Sequence, residues 1–332
     1  MNPKATAACL LRWAVFTLSI ILLPTLSFSQ QLKISDFVLF GGNGLCPAGP
    51  GQTPCNSPGC AVQIGSSSVI NGGAVGSYRL VQTTGGVNIA GNIYSGGTIV
   101  LANKNTVSGF ITAANSQNLT GTIFSAGSNS VLKKNIDVKG NIAITNGTIS
   151  GVVTHPVGTT YNGPKPAGGE VKGNPSLPTM PDMPAVTNFP SARDTTITGG
   201  IIYPGTYGNI TMTGGKTLTL TGPGTYTFKA IKNSGGTNNF VFDFAGNTTG
   251  VYMIYIYGDV ELDKVQATMK NGGSASRIYS ETHGTGSTNS DKTVAWNIAN
   301  GSSGSNTTKW LGTVWAPYAA IRIGSGSGSS EI

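Results

Sequence analysis

The sequence predicts an all-β protein, specifically a right-handed β-solenoid with irregular rungs and few helices. A pattern in which glycine is flanked two residues away by branched apolar residues occurs five times between residues 89 and 153. The central glycines, separated by alternating long and short intervals, are Gly91, Gly109, Gly121, Gly140 and Gly151. Short strands repeated at a fixed period are typical of a coil that stacks on itself. Since every second copy recurs at a nearly constant interval, we predict a repeating unit of two unequal turns.

A second repeat and the absence of helical periodicity support the same fold class. The tetrad Pro-Gly-Thr-Tyr occurs at Pro204–Tyr207 and again at Pro223–Tyr226. This spacing predicts one circuit of a small triangular solenoid, so the later half is expected to repeat by single turns. No window of useful length places apolar residues at helical spacing, which predicts few helices.

Residues 1–30 have the features of a signal peptide. Lys4 and Arg12 supply positive charge, Trp13–Leu23 is apolar, and Pro24 ends the apolar stretch. About 11 apolar residues are too few to span a bilayer, which needs roughly 20. No later segment is apolar over a spanning length. The sequence therefore predicts a secreted protein, extracellular or at the cell surface, with no transmembrane segment after cleavage.

Composition excludes nucleic acid as a partner. Charged residues are only 10% of the chain, against about a quarter in a typical protein. The formal net charge is +8, and loss of Lys4 and Arg12 with the signal leaves +6. The basic residues are scattered singly apart from Lys133 and Lys134, whereas nucleic-acid binding needs a clustered basic face.

Residues 31–61 are predicted to form an N-terminal strand and a cysteine-rich loop. The disulfide candidates in this loop are Cys46, Cys55 and Cys60. An oxidising compartment favours one disulfide with one thiol left over, and the sequence does not choose the pairing.

The rest of the chain divides into two predicted solenoid blocks, at 62–154 and 195–332. Between them, residues 155–194 hold eight of the seventeen prolines, which predicts an extended connection poor in sheet hydrogen bonds. The connection is either a hinge between two modules or a segment lying across the outside of one continuous coil. We expect the natural chain to continue past Ile332, because a solenoid normally ends in a polar cap.

Several short motifs carry a family resemblance. They are Phe37–Phe40, the Gly-Asn-Ile-Tyr-Ser-Gly-Gly stretch at Gly91–Gly97, Tyr255–Val260, Val294–Asn297 and Leu311–Pro317. In these stretches the chain resembles the choice-of-anchor A family of secreted bacterial proteins and, more loosely, ice-binding β-solenoids. It departs from the family pattern at Tyr318 and in the cysteine loop. The resemblance implies an exported, adhesin-like repeat module at the cell surface, with no catalytic residues to carry over.

The sequence predicts no enzymatic activity. His155 and His283 are expected to be solvated loop residues. A nucleophile, base and orienting acid can be drawn through Ser280, His283 and Asp291, but nothing in their spacing requires it. No cofactor is expected, apart from the calcium ion considered next.

One acidic stretch is a candidate site for a structural calcium ion. Asp259, Glu261 and Asp263 alternate along a predicted strand, so all three would point to one face. Calcium prefers several carboxylate and carbonyl oxygens. The alternative is an ordinary exposed strand face.

Alternating threonines form the candidate ligand-binding residues. They are Thr211, Thr213, Thr217, Thr219, Thr221, Thr225 and Thr227. Stacked on successive rungs, such rows would make a regular hydroxyl array suited to ice. The alternative is that threonine is simply a good strand former on a solvated face.

Aromatic residues give a third hypothesis, glycan binding. The candidates are Tyr252, Tyr255, Tyr257, Trp310, Trp315 and Tyr318. Flat rings can stack on sugars, although aromatic residues within a solenoid mostly pack in its core.

The prediction that follows is an exported structural or adhesive module that presents a repetitive Thr, Ser and Asn surface. Its partner is a cell-surface polymer, a glycan or ice, and the sequence does not say which.

Overall fold

The computed structural model describes residues 30–42, 61–114, 120–182, 188–286, 294–299, 308–325 and 330–332. The predicted signal peptide, except Gln30, and the disulfide candidates Cys46, Cys55 and Cys60 lie outside the described residues.

The described strands form three parallel sheets, of 12, 11 and 11 strands, that wind around a shared core. Sheet 1 contains Phe37–Gly41 (β1), Ala74–Ser77 (β4), Ile93–Ser95 (β7), Ile111–Ala113 (β10), Ile136–Val138 (β13), Val153–His155 (β16), Glu170–Lys172 (β18), Gly205–Thr206 (β20), Gly224–Phe228 (β23), Tyr252–Ile256 (β26), Ile278–Thr282 (β29) and Thr313–Ala316 (β32). Sheet 2 contains Ala61–Ile64 (β2), Leu80–Thr83 (β5), Thr98–Leu101 (β8), Thr122–Ala126 (β11), Asn141–Ile144 (β14), Tyr161–Asn162 (β17), Ile210–Thr213 (β21), Ile231–Ser234 (β24), Val260–Asp263 (β27), Val294–Ala299 (β30) and Ala320–Ser325 (β33). Sheet 3 contains Val69–Ile70 (β3), Asn88–Ile89 (β6), Thr106–Val107 (β9), Ser130–Leu132 (β12), Gly147–Ile149 (β15), Gly200–Ile202 (β19), Thr217–Thr221 (β22), Asn238–Asp243 (β25), Val265–Lys270 (β28), Thr308–Lys309 (β31) and Ser330–Glu331 (β34).

Among the described residues, helical structure is confined to two short segments, which confirms the all-β prediction. Ile34–Asp36 and Ala275–Arg277 are single turns of 3₁₀ helix. Within the described ranges, no helix has the length and apolar character needed to cross a bilayer.

The last turn of the chain stacks on the first turn, and we call this contact the seam. At the seam β32 pairs with β1, β33 with β2, and β34 with β3. The chain therefore starts in the middle of the coil and winds outward to β17 and β18. It then returns to the opposite end at β19, β20 and β21 and winds back to the middle. The strands of both predicted blocks thus belong to the same three sheets.

The length of one circuit of the coil differs from the predicted period. In sheet 1, Ile93 pairs with Ile111 and Ile136 pairs with Val153, so each of these intervals is a single complete circuit. The circuit from Ile111 to Ile136 is longer. The predicted unit of two unequal turns is wrong, because the copies of the glycine pattern lie at two different corners of the solenoid. Three copies lead into sheet 1 strands (β7, β10 and β16) and two lead into sheet 2 strands (β11 and β14).

Circuits in the later half are longer, and the repeated tetrads are not in register. Gly205 lies opposite Tyr226 and not opposite Gly224, its counterpart in the second tetrad. The tetrads therefore do not mark equal circuits. Ser280 lies opposite Val314, which makes this circuit longer still.

The core is a set of stacked columns of inward side chains. In the first half, sheet 1 stacks Val75, Ile93, Ile111, Ile136 and Val153, all fully buried. Each such side chain contributes roughly 1.5–3 kcal/mol through burial.

The longer circuits of the later half enclose a wider core, which aromatic rings fill. Tyr226, Phe242, Tyr252, Trp296 and Trp310 are all buried there. Trp296 and Trp310 pack edge to face, with their ring centroids 5.3 Å apart.

Residues 173–182 and 188–194, which we call the strap, lie along the outer face of sheet 1. The Tyr78 hydroxyl, beside β4, donates to the Pro181 carbonyl oxygen at 2.5 Å. Further along, the Tyr257 hydroxyl, just after β26, donates to the Phe189 carbonyl oxygen at 2.6 Å. These contacts place the strap over both halves of sheet 1. Proline suits such a segment, because the strap needs few ladder hydrogen bonds.

The strap completes a second apolar layer outside sheet 1. Met180 is 4% exposed and packs in one cluster with Phe37, Phe40, Tyr94 and Trp315. β17 and β18 precede the strap, within the range that the sequence assigned to the connection, so the turns of the first half continue to Lys172. With the middle strands of sheet 1 covered in this way, sheets 2 and 3 are the more continuous open surfaces for a partner.

Candidate functional site: the outer faces of sheets 2 and 3

Seven outward side chains cross sheet 2 in one unbroken row, which we call the polar row. In order they are Thr211, Lys232, Glu261, Asn297, Arg322, Gln63 and Gln82, each paired in register with the next. Adjacent strands lie about 4.8 Å apart, so the row spans roughly 29 Å along the solenoid axis. The next position beyond Gln82 is Val100, where the polar character ends.

The polar row carries both charge signs and crosses the seam. Lys232 Nζ lies 3.8 Å from Glu261 Oε2. Arg322 Nε donates to Gln63 Oε1 at 2.9 Å and thereby joins the last turn to the first. Half-exposed pairs of this kind add at most about 1 kcal/mol to stability. Neither pair therefore contributes much to the stability of the fold.

A cavity of about 420 Å³ opens beside the first four members of the polar row. Its polar lining consists of Thr211, Lys232, Asn233, Ser234, Glu261, Asp263 and Asn297. Asn233 is held in place, because its Nδ2 donates to the Asp263 carbonyl and its Oδ1 accepts from the Asp263 N–H at 2.8 Å. This volume lies within the range of small-ligand sites.

The outer face of sheet 3 is different in character, with short and branched side chains. Thr219 lies between Ile201 and Val241 in register, and Val241 lies beside Thr268. These residues form one column across the strands. The neighbouring column, two residues earlier on each strand, consists of Thr217, Asn239 and Gln266. The column after that of Thr219 is charged, with Asp243 beside Lys270. The uncharged part of the face is therefore two columns wide.

The structure does not gather the predicted threonines on one face. Thr211 and Thr213 lie on sheet 2, and Thr217, Thr219 and Thr221 lie on sheet 3. Thr225 and Thr227 lie on sheet 1, where Thr227 is fully buried. The expectation of a single array is wrong, because the threonines fall into three groups on three successive strands, one in each sheet.

The predicted calcium ligands do not converge either. Asp259 is 2% exposed at the corner before β27, and its Oδ1 accepts from the Gly286 N–H at 2.7 Å. Glu261 faces Lys232, as described above. Among the described residues, no group of three or more His, Cys, Asp or Glu side chains is placed to hold a metal ion. The three carboxylates therefore do not form the proposed site.

His155 is buried, which contradicts its predicted exposure. It ends β16, where strand alternation turns its ring toward the core. Its Nδ1 lies 2.8 Å from Thr159 Oγ1, and its Nε2 lies 3.1 Å from Glu170 Oε1. The ring thus closes one end of the core.

His283 is also largely covered, since its side chain is 13% exposed. The buried Glu281 carboxylate lies 2.7 Å from His283 Nε2 and accepts from the Tyr279 hydroxyl at 2.8 Å. Burial, reinforced by the Glu281 carboxylate, raises the pKa of Tyr279. The imidazole stacks on Phe189 of the strap, with ring centroids 4.0 Å apart. The cluster holds the strap against sheet 1.

The hypothetical catalytic triad is not assembled by the described residues. The Ser280 side chain faces the core and is fully buried, whereas His283 contacts the strap outside sheet 1. Asp291 lies outside the described residues.

Most of the aromatic glycan candidates are not available to a sugar. Tyr252, Trp310 and Trp315 are 0%, 1% and 3% exposed. Tyr255 stacks on Phe189, with ring centroids 4.6 Å apart. Tyr257, at 41% exposure, is the most open of the set, but its hydroxyl holds the strap. Tyr318 is half-buried against His283. The rings fill the core and the strap contact, so they do not form a platform.

Sequence signals did not identify the polar row. Its members come from seven strands spread between Gln63 and Arg322, and no two of them are neighbours in the chain. The sequence analysis names two members, but Thr211 as part of a threonine array and Glu261 as a calcium ligand. Alternation alone could place each residue outward, but the pairing of turns was needed to align them.

Comparisons with known proteins do not assign a family. No protein family model matches the chain, and no curated protein sequence matches it. Among solved structures, an ice-binding protein from an Antarctic bacterium of the Flavobacteriaceae is similar at 12% identity, with a TM-score of 0.22. The similarity covers 84% of this chain and 82% of that chain. A TM-score this low carries no argument about function, so the β-solenoid assignment rests on the strand pairing. The family resemblance remains a prediction.

Proposed function

We propose that the protein is an exported binding scaffold that acts by repetitive display and not by catalysis. The observation that carries the proposal is that the outer faces of the three sheets differ in how far they are covered. The strap and its apolar cluster cover the middle strands of sheet 1, while sheets 2 and 3 carry registered columns of polar and short side chains. A partner with a regular surface would meet an outward side chain at the same spacing on each rung.

The character of the side chains also supports binding over catalysis. Within the described residues, both histidines are engaged in structural contacts, with Glu170 and Thr159 in one case and with Glu281 in the other. The exposed rows are instead built from side chains that bind by hydrogen bonding. Export follows from the predicted signal peptide and remains part of the proposal.

Adhesion of coated beads tests the proposal. Beads carrying the exported chain would be held under flow against hydrated polysaccharide gels, silica and bacterial cells, and the detachment force measured. A lysine on sheet 2 (Val100→Lys) or on sheet 3 (Thr219→Lys) should lower adhesion. Thr154→Lys on sheet 1 is the matched control and should not. The proposal fails if the beads hold to no surface, or if all three variants lose adhesion equally.

A second candidate function is ice binding, which the uncharged part of sheet 3 favours. Thr217, Thr219 and Thr268 alternate with Val241 and Asn239 on neighbouring strands. Strand spacing fixes these groups about 4.8 Å apart across the sheet and roughly 7 Å apart along it. Such a flat, short-chained lattice is what an ordered solid could match.

Thermal hysteresis and ice-crystal habit test this candidate. The wild-type protein should arrest growth and facet the crystals, and Thr219→Lys should abolish both effects. Thr211→Lys on sheet 2 is the control and should retain them. Unmodified ice growth with the wild-type protein would dismiss ice binding and leave the display proposal standing.

A further inference from the structure

We infer that the polar row and its cavity bind an extended, neutral polysaccharide chain lying parallel to the solenoid axis across the strands of sheet 2. The inference rests on the proposed display function and names the ligand class and face. The proposed site contains none of the aromatic glycan candidates.

The chemistry of the row favours hydroxyl groups as the ligand. Glu261 and Asp263 accept hydrogen bonds, Lys232 and Arg322 donate them, and Asn297 does both. A sugar hydroxyl also donates and accepts, so it can bridge neighbouring members of such a set. Charge-assisted hydrogen bonds of this kind are the stronger ones.

The charges disfavour a polyanion. The cations Lys232 and Arg322 are interrupted by Glu261, with Asp263 on the next column. A phosphate or sulfate polymer would meet these carboxylates as it passed along the row. A clustered basic face, which polyanions require, is not what the row presents.

The row also lacks what a protein partner would need. Centres of protein interfaces are enriched in aromatic residues and depleted of charge. The polar row has no aromatic member, and charged residues occupy three of its seven positions. Addition of a peptide strand would require a free sheet edge, whereas the row lies on the face of sheet 2.

The geometry matches a linear chain. Polar groups recur at each strand over roughly 29 Å, with about 4.8 Å between them. One sugar of an extended chain advances by a similar length, so each sugar can meet one strand. Asn297 is 6% exposed and lies in register between Glu261 and Arg322.

Affinity electrophoresis followed by calorimetry tests the inference. The exported chain would be run in gels containing soluble mixed-linkage β-glucan, xylan or galactomannan. The retarding polymer would then be titrated as oligosaccharides of two to eight sugars. Affinity should rise with length and level off at about six or seven sugars, when the row is filled.

A matched pair of double variants locates the site. Lys232→Ala with Glu261→Ala removes the ion pair on sheet 2. Lys309→Ala with Glu331→Ala removes the comparable pair on sheet 3, whose atoms lie 3.1 Å apart. The sheet 2 variant should bind at least about tenfold more weakly, as expected for loss of one charge-assisted hydrogen bond. The sheet 3 variant should bind like wild type, and circular dichroism melts check that both are folded.

Three outcomes would overturn the inference: no retardation by any of the three polysaccharides, equal loss in both double variants, or no loss in the sheet 2 variant. The bead assay separates this failure from failure of the display function. If wild-type beads adhere to silica or cells while no polysaccharide binds, the ligand class is wrong and the display function stands. If the beads adhere to nothing, both proposals fall.

Discussion

At the scale of single residues, glycine at the corners that lead into sheet 1 is required by close backbone approach. A Cβ on Gly91 would lie 1.9 Å from the Gly73 carbonyl oxygen, and one on Gly109 would lie 2.4 Å from that of Gly91. Backbone of successive turns therefore stacks without room for a side chain. The repeated pattern predicted such an approach at corners. It could not show that two kinds of corner were involved, since both carry the same residues.

Gly109→Ala should destabilise the protein more than Gly121→Ala. The methyl group at Gly109 meets backbone that cannot move aside, which should cost about 2–3 kcal/mol of unfolding free energy. Gly121 has a φ of 86° with open space around it, so alanine there costs only the strain of a left-handed conformation, about 1 kcal/mol. Guanidinium unfolding measures both. Equal losses would mean that the corner backbones are not in contact.

Asparagine side chains join successive turns, a role that the sequence did not reveal. Asn105 is 1% exposed; its Oδ1 accepts from the Val87 N–H at 2.9 Å and its Nδ2 donates to the Ala102 carbonyl at 2.7 Å. Asn92 and Asn135 accept backbone N–H groups of the following turn in the same way. Asparagine is so frequent in this chain that abundance hides the positions that matter.

Asn105→Ala should cost about 2 kcal/mol, because it leaves the buried Val87 N–H without its acceptor. Asn88→Ala, at an exposed position of the preceding turn, should change stability by less than about 0.5 kcal/mol. The two variants can be compared by their thermal melting. A similar small effect for both would show that the Asn105 amide is not bonded between turns.

At the scale of elements, the course of the strap could not be predicted from the sequence. Proline content predicted an extended segment, but a hinge and an outer covering have the same composition. The contacts that decide its course, such as Met180 against Trp315, join residues far apart in the chain. The outward orientation of Phe37 and Phe40 could not be predicted either. Their strand is apolar on both faces, which predicts that both faces are covered but not which residues point outward.

Tyr78→Phe should loosen the strap and remove part of the alkaline sensitivity of the fold. Burial, with a smaller contribution from Asp182, raises the Tyr78 pKa from 10.0 to about 12. The folded protein thus holds this proton more tightly than the unfolded chain. The stability that results is complete below about pH 10 and is lost as the pH rises through 12.

The variant should cost about 1–2 kcal/mol at neutral pH, because the Pro181 carbonyl loses its donor. Its stability should then fall less steeply than that of wild type between pH 10 and pH 12. Tyr203→Phe, at a 61% exposed position, is the control and should follow the wild-type curve. Parallel curves for Tyr78→Phe and wild type would contradict the strap contact.

At the scale of the whole molecule, the seam makes the faces of sheets 2 and 3 continuous. The polar row passes from Arg322 of the last turn to Gln63 of the first, so its length depends on the pairing of β33 with β2. Strand patterns in the sequence predicted the solenoid and many of its strands. They hold no information on which turn stacks on which, because inward and outward alternation is the same in every turn.

Hydrogen exchange at increasing guanidinium concentration tests the central claim, that both halves form one solenoid joined at the seam. Mass spectrometry would follow amides of β7 and β10 in the first half and of β26 and β29 in the second. If the halves share three continuous sheets, both sets should lose protection at the same denaturant concentration, in one cooperative step. Loss of protection in one half while the other stays protected would contradict the seam and the continuous polar row that crosses it.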